Sequence, residues 1–188
     1  GGYILSYNGG EITNWQTGEL MYENVLDADV LPYLYQCAKE NNFAIVTYKD
    51  KYVLTEHPDD EYVLKEAILN VMETQKVDNF LEAIDFPVAK CLIVGEATRL
   101  AVLEKEMYEV LKDRMGVYRS EPYFLELVPK GIDKAQSLAV LLEKIGATKE
   151  EMIAVGDGFN DLSMIKFAGL GVAMANAQEV VRQSADYI

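Results

Sequence analysis

The part of the chain that most narrows its possible folds runs from Val128 to Ile188. Two short apolar segments, MIAVG (152–156) and GVAM (171–174), alternate there with amphipathic helical patterns. The first helix is read over 133–145, with Leu138, Leu141, Leu142 and Ile145 on one side and Gly146 as its stop. A strand that is apolar at every position, not at alternate ones, belongs to a parallel sheet buried on both faces. Thr148 with Glu151 matches a capping box ahead of MIAVG. A helix over 160–168 and another capped by Asn176 with Glu179 complete the alternation. The expectation is an α/β fold with a Rossmann-like, three-layer parallel-sheet core.

The preceding hundred residues have a different style. Asp27–Glu40 reads as a helix through Leu31, Leu34, Tyr35 and Ala38, and FAIVTYKDKYVLTE as a hairpin. A helix opens at Asp59-Asp60, KCLIVG (90–95) is a strand, and Arg99–Met115 is a helix stopped by Gly116. VYRSEP and YFLELVP follow as strands. This mixture of hairpins and helices predicts an α+β insert. At the start, YILSYNG is a strand with an Asn-Gly turn, and EITNWQTGELMYENVL a hairpin with Thr17-Gly18 at its tip. The expected domains are a core of 1–26 and 127–188 and an insert of 27–126. GGYILSYNGG looks like the middle of a sheet and SADYI stops as a strand begins, so an internal piece of a longer protein is expected.

Charge limits the partners. Among 188 residues, 17 Lys+Arg against 31 Asp+Glu give a net charge of −14, which argues against nucleic acid or an anionic membrane surface. An acidic chain still binds an anionic metabolite where a cation or a local Lys mediates. Cys37 and Cys91 lack metal-ligand spacing and read as reduced thiols, and His57 sits at a turn before a helix. Neither an apolar run of about 18 residues nor a basic-then-apolar leader is present. A cytoplasmic monomer or homodimer is expected.

Two segments carry chemistry. In VGDGFND a buried strand runs into Asp157, Asn160 and Asp161, where an open parallel sheet binds its ligands. Gly156 and Gly158 let the backbone turn tightly. Hard oxygen donors with incomplete coordination suit Mg²⁺, which keeps waters and takes one or two carboxylates plus substrate phosphate. In VPKGIDKAQSL, Lys134 stands in the first turn of a helix, where the dipole disfavours a cation. It makes sense there as a point charge on a phosphate, beside helix amides that favour anions. Lys130 is the rival, and Lys134 is preferred because it lies on the helix. As capping residues alone, Asp157 and Asp161 would need no cation.

PKGIDKAQSLAVLLEKIG, EEMIAVGDGFNDLSMIKFAGLGVAMANAQEVVRQSADYI and, more weakly, SYNGGEI resemble the haloacid dehalogenase superfamily phosphatases, specifically the Cof-type (type IIB) sugar-phosphatase-like branch. About 80 residues carry the likeness, and the middle hundred match only in the order of their elements. The resemblance implies a Mg²⁺-dependent phosphomonoesterase with a mobile cap, here 27–126, acting on a small phosphorylated metabolite such as a sugar phosphate. It implies Lys134 as the phosphate-neutralising cation and Asp157 as a metal ligand. Asn160 would bond near the phosphate, and Asp161 would serve the metal or hold Lys134. Asn8 and Asn176 lie on segments that would flank the site, and Tyr48, Tyr52, Tyr118 and Tyr123 are candidates for facing the sugar. The family's Asp-x-Asp-Gly-Thr nucleophile stretch has no counterpart. Asp27-Ala28-Asp29 is followed by Val-Leu-Pro and reads as a helix cap, so the nucleophile is expected upstream of Gly1 and the chain as written is expected to be inactive. A phosphomutase of the same fold and a non-catalytic metal- or metabolite-binding module are the alternatives.

Overall fold

A computed structural model describes residues 1–188. The chain opens with β1 (Tyr3–Ser6), a tight turn at Tyr7–Gly9, and a hairpin of β2 (Glu11–Asn14) and β3 (Leu20–Glu23), forming one antiparallel sheet in the order β1-β2-β3. Next come α1 (Leu31–Glu40), β4 (Ala44–Lys49), β5 (Tyr52–Thr55), α2 (Glu61–Leu69) and β6 (Glu73–Lys76). They are followed by β7 (Cys91–Val94), α3 (Ala97–Leu111), β8 (Met115–Glu121) and β9 (Phe124–Pro129). These strands form a six-stranded mixed sheet ordered β6-β5-β4-β7-β9-β8, parallel only between β5 and β6. The chain closes with α4 (Lys134–Ile145), β10 (Ile153–Gly156), α5 (Leu162–Phe167), β11 (Leu170–Ala173) and α6 (Glu179–Arg182), with β10 and β11 parallel.

Two compact units result: Gly1–Asn24 with Ile132–Ile188, and Val25–Gly131. The boundaries differ from those expected at 26 and 127. The Leu26 amide donates to the Val88 carbonyl at 2.8 Å, and β9 stays paired with β8 as far as Pro129, so both stretches belong to the second unit.

In the Val25–Gly131 unit, Leu31 and Leu34 from α1 and Leu100, Leu103 and Met107 from α3 share one buried cluster with Ile45, Ile93, Leu125 and Leu127 of the sheet. Each such side chain contributes about 1.5–3 kcal/mol on leaving water. Asp60 caps α2 by accepting from Tyr62 N and Val63 N, and Glu96 caps α3 through Thr98 N and Arg99 N.

Several local expectations are corrected here. Helix α3 ends at Leu111, and Gly116 is no helix stop: it lies in β8, where a Cβ would sit 2.7 Å from Val128 Cγ2 on the paired strand. Asp27 and Asp29 make no side-chain cap. Arg114 claims them, with Nη2 at 2.7 Å from Asp29 Oδ1 and 3.6 Å from Asp27 Oδ2. Tyr48 is buried with its hydroxyl on Glu66 at 2.5 Å, and Tyr123 stacks on Tyr62, so both rings serve packing.

In the other unit, Ala154, Ile165, Ala173, Ala177 and Val181 form a small core beneath the β10–β11 pair. The expected two-sided burial does not hold for β10. Ala154 and Gly156 are buried, whereas Ile153 is 65% exposed and Val155 55%. No helix is long and apolar enough to cross a membrane.

Candidate active site

Helix α4 begins where it does because Asp133 caps it, its carboxylate accepting from Ala135 N at 2.8 Å and Gln136 N at 3.2 Å. Two of the first-turn amides expected to favour an anion are therefore occupied by this carboxylate. What α4 offers an anion is the Lys134 ammonium. It lies on Asp161 Oδ1 at 2.5 Å, with side chains only 20% and 10% exposed.

Asp161 is the hub. Its second oxygen accepts the amides of Asp157 and Gly158, at 3.0 and 3.1 Å. Gly156 supplies the room, since a Cβ there would come within 2.5 Å of Asp161 Cβ. Burial alone would raise the Asp161 pKa. The Lys134 ammonium and the amides of Gly158 and Asp157 outweigh burial and hold it below its ordinary 3.8. Asp161 is thus a fixed carboxylate that ties the end of β10 to the start of α4.

Asp157 follows β10 directly, and its backbone is held at both ends. Its amide donates to Asp161, and its carbonyl accepts from Gln178 N at 3.0 Å. The side chain is exposed, and its one side-chain contact is a long 3.4 Å approach of Asn176 Nδ2 to Oδ2. Asn176 is therefore not the cap of α6, whose N-cap position is Gln178. It reaches back to Asp157 instead. Asn160 donates from Nδ2 to Asn8 Oδ1 at 3.0 Å, joining residues 152 positions apart. Lys134, Asp157, Asn160, Asp161, Asn8 and Asn176 thus form one connected group. The rival Lys130 bonds the Asp113 carbonyl through Nζ at 2.8 Å, within the Val25–Gly131 unit.

The donor set bears on the metal. No three His, Cys, Asp or Glu side chains come together as a metal cage. Asp161, expected with Asp157 among the metal ligands, has committed one oxygen to Lys134 and the other to two amides. Asp157 is the carboxylate left open. One carboxylate, completed by waters and a substrate phosphate, is an arrangement Mg²⁺ commonly takes, and it fits poorly to Zn²⁺ with its closed set of nitrogen and sulfur ligands.

One polar residue at this site went unread in the sequence. Ser137 stands on the buried side of α4 with Leu141. A serine at an apolar position of an amphipathic helix is the signal that marks it, because a buried hydroxyl needs a partner.

A profile described as haloacid dehalogenase-like hydrolase matches residues 1–188. This chain belongs to that family. Among solved structures, a haloacid dehalogenase-like hydrolase from Bacteroides thetaiotaomicron is 61% identical, with a TM-score of 0.97 over 100% of this chain and 71% of that one. The subclass IIB sugar phosphatase BT4131 shares the fold at 23% identity, with a TM-score of 0.74 over 98% of this chain and 68% of its own. The 5-amino-6-(5-phospho-D-ribitylamino)uracil phosphatase YcsE of Bacillus subtilis is 46% identical over 88 residues, which is 46% of this chain and 35% of that protein. As in the sequence reading, the haloacid dehalogenase-like fold is a mixed α/β one, with β10, β11 and helices α4–α6 as its Rossmann-like part.

Proposed function

We propose that this chain supplies the metal and phosphate contacts of a Mg²⁺-dependent phosphomonoesterase acting on a small phosphorylated metabolite, of the sugar-phosphate class. One observation carries the reading: Asp161 binds the Lys134 ammonium through one oxygen and the Asp157 amide through the other. A cation and an open carboxylate from separate segments are thereby fixed to a common brace. The likeness to phosphatases of phosphorylated small molecules supports the substrate class. The net charge of −14 supports an anionic metabolite reached through cations over nucleic acid.

Phosphoryl transfer asks a protein mainly for positioning and charge neutralisation. Lys134 neutralises phosphoryl oxygens, and Asp161 holds its ammonium in place. Asn160 and Asn8 present carboxamide donors to the same group. Asp157 would hold Mg²⁺, which when bound draws charge from the phosphoryl oxygens. Asn176 orients the Asp157 carboxylate. The carboxylate nucleophile of the aspartyl-phosphate route is assigned to a segment outside these residues, since Asp27 and Asp29 are engaged by Arg114. Selection of the leaving group is assigned to the Val25–Gly131 unit, as a cap.

The test is phosphate release from a panel of sugar phosphates by the full-length protein, with and without EDTA. Lys134→Ala and Asp157→Asn are each expected to lower turnover by about 10²-fold or more. Equal rates in EDTA, or an Asp157→Asn protein that keeps its rate, would overturn the reading. Isomerised sugar phosphate in place of free phosphate would assign a mutase instead.

A further inference from the structure

The turn between β1 and β2 places three consecutive residues in the left-handed region. Tyr7, Asn8 and Gly9 all take positive φ, at 52°, 57° and 106°. Glycine adopts this region freely and asparagine tolerates it, but a bulky tyrosine there is uncommon and persists only where surrounding contacts enforce it. Gly10 N closes the turn on Tyr7 O at 3.1 Å. That bond is local and does not fix the turn against the rest of the unit.

Ser137 does. Its side chain is 2% exposed, and its hydroxyl donates to the Gly9 carbonyl at 2.5 Å. A helical serine ordinarily returns its proton to the carbonyl four residues back. Here that carbonyl, Asp133 O, is the longer contact at 3.2 Å, and the distant Gly9 is the shorter. The fit is close on both sides: a Cβ on Gly9 would stand 2.5 Å from Ser137 Oγ and 3.2 Å from Asp133 O. Residue 9 is held to glycine twice over, by its φ of 106° and by this hydroxyl.

Consider what this contact joins. Lys134 and Ser137 lie in the same turn of α4. Lys134 reaches Asp161, while Ser137 holds Gly9, whose neighbour Asn8 accepts from Asn160, the residue before Asp161. The contacts form a closed loop through α4, the 7–9 turn, Asn160 and Asp161. Without the Ser137 link, Lys134 would remain placed but the turn that carries Asn8 would lose its hydrogen bond to α4.

We infer that Ser137 is a positioning residue for substrate binding: through Gly9 it forces the left-handed turn that sets the Asn8 carboxamide against Asn160. It touches no substrate. The inference rests on the phosphate-site reading above for its functional consequence, and on the hydroxyl–carbonyl contact alone for its structural part.

The experiment uses the full-length protein with Ser137→Ala, Asn8→Ala and the double variant. The expected result is a KM for the best sugar phosphate raised about three- to tenfold in Ser137→Ala, with kcat changed less than about twofold, as befits one lost hydrogen bond. In the Asn8→Ala background, Ser137→Ala should add no further rise, because the two act in series. A packing role would add its effect in both backgrounds, and additive KM changes overturn the inference while leaving the phosphatase reading intact. An NMR measurement independent of catalysis accompanies it: the Asn160 side-chain amide signal should shift in Ser137→Ala as its bond to Asn8 loosens. If no phosphate ester is hydrolysed by the wild type, the phosphatase reading falls and this signal decides alone. An Asn160 amide unmoved in Ser137→Ala overturns the positioning role.

Discussion

Two apolar tetrapeptides, CLIV in β7 and IAVG in β10, look alike in sequence and differ in the fold. All four residues of β7 are buried, between antiparallel partners β4 and β9. In β10 the residues alternate, exposed and buried, beside the single partner β11. A continuous apolar run states what a strand can tolerate on both faces. It does not state what covers those faces, because cover comes from other elements. The difference extends to chemistry: of the residues in this chain proposed to contact metal or phosphate, the well-packed unit contains none and the sparsely packed one contains Lys134, Asp157, Asn160 and Asn8.

The contrast can be broken or sharpened by mutation. Its largest expected effect is at the sheet centre, where Ile93→Ala should cost about 2–5 kcal/mol in urea unfolding, since a fully buried side chain leaves a cavity among rigid neighbours. A cost under about 1 kcal/mol would show that this cluster is not the core it resembles.

Next comes Asp161→Asn, expected to cost about 1–3 kcal/mol at pH 7 by leaving the Lys134 ammonium without its charged partner. The sign with pH follows from the lowered pKa. The Asp161 contribution is complete above the ordinary value of 3.8 and is lost as pH falls through the lower folded value. Wild type and Asp161→Asn should therefore converge in stability under strong acid, separate as pH rises towards 3.8, and keep a constant gap above it. A gap independent of pH would assign the loss to packing.

The smallest effect is at Val155. Replacing it with isosteric threonine should change stability by no more than about 0.5 kcal/mol, because more than half of the residue already faces water. A cost similar to that of Ile93→Ala would mean that this face is covered in solution, and the comparison between β7 and β10 would collapse.

What the sequence disclosed, and what it withheld, divides along distance. Strands and helices with strong periodicity were legible, as were Asp157 and Lys134, whose placement follows from local pattern: a strand ending in acid, and a lysine where a helix dipole disfavours it. Contacts across long separations were not. Asn176 looked like a cap because Glu179 follows it at the capping spacing, and nothing nearby signals its reach to Asp157. Gly116 looked like a helix stop because glycine after a helical pattern usually is one. Its actual reason, clearance for Val128, lies on the paired strand. Strand β6, ETQK, offers no apolar alternation and forms because its backbone pairs with β5 at the sheet edge. Asn8 was placed beside the site only by family resemblance, and its bond to Asn160 was not legible, since a carboxamide has no periodicity to betray its partner.

The bare α-carbon of Gly156, which leaves space for the Asp161 side chain, also constrains the order in which these two positions can change over a lineage. Enlarging residue 156 first would drive atoms into a carboxylate already anchored on three sides. Trimming residue 161 first empties the space and permits the other change. Drift at this pair is therefore a one-way street, and a variant carrying a side chain at 156 should be found to have already given up its aspartate.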